Sequence, residues 1–112
     1  MDWEKYMDEV VTEIATLSEE LPETARGFGV MGAAAKTSGA LDERTKDIMA
    51  LGIAVATRCE SCIGFHIKSL IRLGLTREEL CEALAMATFM GGGPSYAFSA
   101  KALSAFDTFK NE

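Results

Sequence analysis

The chain has 112 residues and a mass of 12.1 kDa, the size of one domain spanning 1–112 that can bury a core without covalent staples. Its 48% hydrophobic and 25% charged residues, with only two prolines, exclude a disordered, collagenous or low-complexity chain. A formal net charge of -6 makes phosphate backbones and anionic membranes poor partners, so neither nucleic acid nor a membrane surface is expected.

Helices joined by short turns are predicted throughout. Residues 2 to 18 carry Trp3, Tyr6, Val10, Ile14 and Leu17 at spacings of three and four, an amphipathic stripe. Pro22 suits the first turn of a second helix bearing Phe28 and Met31 and ended by Ser38-Gly39. Asp42 is placed as the N-cap of a third, from Glu43 to about Thr57, which is apolar on nearly every side after Asp47 and is expected to be buried. Cys59 to Leu73 reads as a fourth helix, stopped by Gly74 at C′.

Thr76-Arg77-Glu78-Glu79 is a capping box, with Leu75 and Leu80 as its hydrophobic staple, and the fifth helix runs from it to about Met90. Leu80, Cys81, Leu84, Ala85, Met86, Ala87, Phe89 and Met90 surround that helix, and its apolar girth points to burial against other subunits. Gly91-Gly92-Gly93-Pro94 breaks the chain before a last helix to Phe109, with Phe98, Leu103 and Phe106 inward. The fold class is all-α, with about six helices.

Three cysteines are too few for a disulfide scaffold. The N-terminus shows no apolar signal region, and the longest apolar run, Ile48 to Ala56, falls far short of the roughly 20 residues of a membrane span. The expectation is a soluble, reduced, cytoplasmic protein, and there a Cys-x-x-Cys pair is more often catalytic or metal-binding than structural.

Cys59, Cys62 and the only histidine, His66, fall within about 80° of one another on a helical wheel. Cys59 lies near the helix N-terminus, where the dipole and free N–H groups favour a thiolate, and Arg58 adds a positive neighbour. His66 is one turn beyond Cys62, in reach to exchange a proton with its sulfur. One sulfur to attack and a second to resolve suit a dithiol oxidoreductase. The chemical rival is a structural zinc held by Cys59, Cys62, His66 and a carboxylate such as Asp47, although no second Cys or His pair exists to supply ligands. No metal or cofactor is called for by the dithiol reading. Cys81, among apolar residues, reads as a buried core thiol, and the methionines as core or interface filler.

Cys59-x-x-Cys62-x-x-x-His66, followed by Gly74-Leu75-Thr76-Arg77-Glu78-Glu79 and an Ala/Met-rich helix ending in Met90-Gly91-Gly92-Gly93-Pro94, resembles the carboxymuconolactone decarboxylase family over residues 41 to 105, and within it the alkyl hydroperoxidase D-like (AhpD-like) branch. The resemblance implies an all-helical fold assembled as homotrimers or homohexamers. It also implies a cysteine pair that reduces hydroperoxides or passes electrons from a dihydrolipoyl-type donor to a peroxiredoxin. By the same likeness Cys62 is the attacking thiolate, Cys59 its resolving partner and His66 a proton relay. Family members place a glutamate twelve residues before the first cysteine, where this chain has Asp47.

A continuous helix would leave Asp47 roughly 18 Å from Cys59, so a relay through it requires the chain to turn near Arg58, with a water to bridge the shorter side chain. The alternative role for Asp47 is a solvated first-turn acid. Two other functions stay open at this point: lactone decarboxylation, whose enzymes generally lack the cysteine pair, and a non-catalytic helical oligomerisation module.

Overall fold

A computed structural model describes all 112 residues as six helices and no strand: α1 (Trp3–Glu20), α2 (Pro22–Lys36), α3 (Glu43–Ala56), α4 (Glu60–Arg72), α5 (Arg77–Gly91) and α6 (Gly93–Lys110). The all-α expectation with six elements holds. Each start has a local cause. Asp2 and Asp42 accept from the backbone N–H groups of Lys5 and Thr45, Pro22 opens α2, and Thr76 and Glu79 form the reciprocal capping box.

Two helix ends share one device. At the end of α4, Gly74 has φ 83°, Leu75 N–H donates to Leu70 C=O and Gly74 N–H to Ile71 C=O. At the end of α3 the same pair of bonds runs from Cys59 N–H to Ala54 C=O and from Arg58 N–H to Val55 C=O, but the left-handed residue is Arg58, φ 58°. A residue with a Cβ held there costs on the order of 1–2 kcal/mol. In return the chain reverses within three residues, and α3 and α4 lie side by side as an antiparallel pair.

The core is built by α3 to α6, with α4 packed against both α3 and α6. Leu51, Val55, Ile63, Ile67, Leu70, Leu75 and Leu80 are its fully buried centre. The first turns of α1 close one side: Trp3 meets Tyr6 and Phe109 edge-on, and Met7 lies over Gly64 of α4. A Cβ at position 64 would run into the Met7 side chain, so glycine is what lets α1 approach the helix that carries the cysteines. Gly64→Ala is therefore expected to destabilise the fold by about 1 kcal/mol, overpacking of about 1–3 kcal/mol being partly offset by the helix preference of alanine. The check is Tm; an unchanged value would mean that Met7 moves aside freely.

The outer surfaces differ from the periodicity-based expectation. Of the α1 stripe only Trp3 is buried; Tyr6 and Val10 are half-buried and Ile14 and Leu17 exposed, while the buried Met7 lies beside the stripe. No residue of α2 is buried, and its Phe28 is 72% exposed. Met49 and Ile53 project from α3, and Phe89 and Met90 from α5, where Phe89 is 77% exposed. Cys81 is exposed as well, which corrects its reading as a core thiol. It lies in an apolar groove between α5 and α6, with Leu84, Phe89, Tyr96 and Leu103. The pattern on α5 put many apolar residues around it, but only Leu80 and Leu84 are buried, with Ala87 packed partly against the core. No helix is long and apolar enough to cross a membrane.

Candidate active site

The reversal at Arg58 gives Cys59 two roles at once. Its N–H ends α3, and its extended backbone (φ -102°, ψ 96°) makes it the N-cap of α4, which begins at Glu60. Cys59 thus sits just off the helix rather than on its wheel, yet its Cα is 5.2 Å from that of Cys62 and the two are joined as a disulfide. Its sulfur accepts from the backbone N–H of Cys62 at 3.3 Å and lies 3.5 Å from the Ser61 hydroxyl. A thiol in this N-cap position is stabilised as an anion by that N–H and by the positive end of the helix. Cys62, within the first turn, is partly buried against the core.

His66 lies one turn along α4 from Cys62, on the same face. Its Nδ1 is 2.5 Å from Oδ1 of Asp47, a residue only 6% exposed although it carries a charge. The carboxylate fixes the ring proton on Nδ1 as the donor, which leaves Nε2 to exchange a proton elsewhere. The turn expected near Arg58 is present, and Asp47 comes back level with His66. No bridging water is needed, because the shorter side chain reaches the imidazole directly.

Burial, the largest influence on Asp47, pushes its pKa up. The hydrogen bond from His66, the neighbouring Ser69 hydroxyl and the charges of His66 and Lys36 outweigh it and hold the carboxyl below its ordinary 3.8. Ser69 exerts this influence without a regular hydrogen bond, and Asp47 Oδ2 has no protein partner. A solvated first-turn acid is not what Asp47 is.

Cys59, Cys62, His66 and Asp47, the four residues singled out by sequence, therefore lie on one α3–α4 hairpin. No group of three or more His, Cys, Asp and Glu side chains is arranged to hold a metal ion, so the rival zinc set is not assembled. Pattern reading missed the surroundings. Lys101 of α6 bonds Glu60, one of the two residues between the cysteines, at 3.3 Å, across a separation of 41 residues that no spacing rule reports. Ser69 had a readable signal, since it stands one turn beyond His66 on the same face.

The sequence signature of the carboxymuconolactone decarboxylase family matches residues 22–105, three quarters of the chain. This chain belongs to the carboxymuconolactone decarboxylase family. Among its relatives is an uncharacterized protein of Cupriavidus necator, 36% identical over 107 residues and covering 95% of this chain and 94% of that one. A carboxymuconolactone decarboxylase family protein from Legionella pneumophila superimposes with a TM-score of 0.92 at 45% identity, over 96% of both chains. A family member from Thermotoga maritima, for which an involvement in the antioxidative response has been suggested, aligns with a TM-score of 0.78 at 27% identity over 92% of this chain and 91% of its own. The fold of this chain is thus shared with these proteins.

Proposed function

We propose that this family member is an AhpD-like dithiol oxidoreductase that reduces hydroperoxides, or relays electrons, through a Cys59–Cys62 disulfide. The observation that carries the reading is the cysteine pair bonded at the first turn of α4, one turn from a histidine anchored by a buried carboxylate. His66 takes the proton of Cys62, and the thiolate attacks the terminal oxygen of ROOH. The O–O bond breaks, the alkoxide receives the proton from His66 and leaves as ROH, and Cys62 becomes a sulfenic acid. Cys59 then attacks the Cys62 sulfur, and water departs as the disulfide forms.

A dithiol of the dihydrolipoyl type restores both thiols and is itself oxidised to its disulfide. In the relay variant the two electrons pass on to a peroxiredoxin. The N-cap position of Cys59, whose sulfur accepts from the Cys62 N–H, supports Cys59 as the sulfur that leaves when the disulfide is opened. The antioxidative role suggested for the Thermotoga relative supports the same chemistry. The test is thiol counting on the reduced protein before and after one equivalent of cumene hydroperoxide. Two of the three thiols should disappear with formation of one equivalent of alcohol; three surviving thiols would reject the reading.

The same reading includes self-assembly as a homotrimer or homohexamer. Exposed Phe28, Met31, Met49, Ile53, Phe89 and Met90 amount to more apolar surface than an isolated chain of this size usually leaves in water. Sedimentation equilibrium at micromolar concentration should return a trimeric or hexameric mass, and a monomer would refute the assembly.

A further inference from the structure

Two polar bonds cross between the antiparallel helices α3 and α4. One joins His66 to Asp47, and the other runs from Arg72 Nη2 to Glu43 Oε1 at 3.2 Å. Ser69 stands midway, three residues after His66 and three before Arg72, on the α4 face that both bonds leave from. Its Oγ accepts from Arg72 Nη2 at 3.4 Å, so the hydroxyl proton itself is uncommitted. The Asp47 carboxyl, on which that hydroxyl acts, has a buried oxygen, Oδ2, with no protein partner. Native structures rarely leave such an atom unsatisfied, and a hydroxyl rotor one turn from the imidazole is the donor at hand.

We propose that Ser69 is a positioning residue of this site: its hydroxyl, oriented by Arg72, donates to Oδ2 of Asp47 and holds the carboxylate in the rotamer that keeps Oδ1 on His66. The hydroxyl already contributes to keeping Asp47 ionised, which agrees with that arrangement. Among charged groups, Lys36 of α2 and His66 of α4 act on the carboxylate; Arg72 is engaged by Glu43 of α3, and Glu79 of α5 by Arg44 of α3. Only the catalytic consequence of Ser69 rests on the function proposed above; the hydrogen bond does not.

The experiment therefore has one readout that is independent of turnover. The Asp47 carboxyl carbon is titrated by ¹³C NMR, assigned by its absence in Asp47→Asn, in wild type, Ser69→Ala and Ser69→Thr. Removing a donor that favours the carboxylate raises the pH at which it protonates. Ser69→Ala should titrate at higher pH than wild type, and Ser69→Thr, which keeps the hydroxyl, should follow wild type. Oxidation by cumene hydroperoxide near neutral pH should be about 2- to 10-fold slower in Ser69→Ala and restored in Ser69→Thr. Coincident Asp47 curves in wild type and Ser69→Ala overturn the proposal, as does a Ser69→Thr curve that follows Ser69→Ala. A wild type inert to hydroperoxide rejects the functional reading alone, and the titration still decides the role of Ser69.

Discussion

Cys62→Ser is expected to bring hydroperoxide-driven oxidation of the protein down to background. A serine hydroxyl does not ionise near neutral pH, so it presents no anion to the O–O bond and forms no disulfide with Cys59. Cys59→Ser should behave differently: Cys62 would still be oxidised once, and its sulfenic acid would persist and be trapped by dimedone. Cys81→Ser should leave the loss of two thiols and its rate unchanged, because Cys81 lies in the groove between α5 and α6 and belongs to neither the cysteine pair nor its relay. The measurement is stopped-flow oxidation with mass spectrometry of the products. Oxidation of Cys62→Ser at the wild-type rate would remove Cys62 from the mechanism.

Asp47→Asn is expected to slow the same reaction by a factor of about 10² to 10⁴ near neutral pH, the usual worth of general-base assistance. Asparagine keeps the shape of the side chain but loses the charge that stabilises the imidazolium formed when His66 takes the thiol proton. The deficit should shrink at high pH, where Cys62 ionises without help. Asp47→Glu keeps the carboxylate but must fit one more methylene into a buried position, so a rate within about tenfold of wild type is expected. Superimposable pH profiles for the three proteins would take Asp47 out of the relay.

Stability should carry the same signature. The folded Asp47 carboxyl titrates below its ordinary 3.8, so its stabilising contribution is complete above that pH and is lost as pH falls through the lower folded value. The Tm difference between wild type and Asp47→Asn should accordingly close in strong acid, as pH falls below 3.8 and the folded carboxylate is protonated.

Where the sequence was misleading, the cause was the same each time: a pattern reports what a residue is, not what covers it. The stripe of α1 is periodic over its whole length, yet only its first turns find partners, because α1 crosses α4 and α6 there. Cys81 shares the company of apolar residues on α5, but most of that company faces outward.

The helix boundaries and the cluster of reactive side chains were determined locally. Caps at Asp2, Asp42 and Thr76, the proline that opens α2 and the glycine at 74 act within a few residues, and the i, i+4 spacing of Cys62 and His66 puts both on one face of any helix that forms there. Only the tertiary structure decided what Asp47 does. Its meeting with His66, 19 residues away, depends on a left-handed Arg58 that propensity argues against and that packing of α3 on α4 makes affordable. Once that turn is made, burial removes water from the carboxylate and leaves the imidazole as its partner. An acid whose alternative role by sequence was that of a solvated first-turn residue is instead buried and bonded to the only histidine.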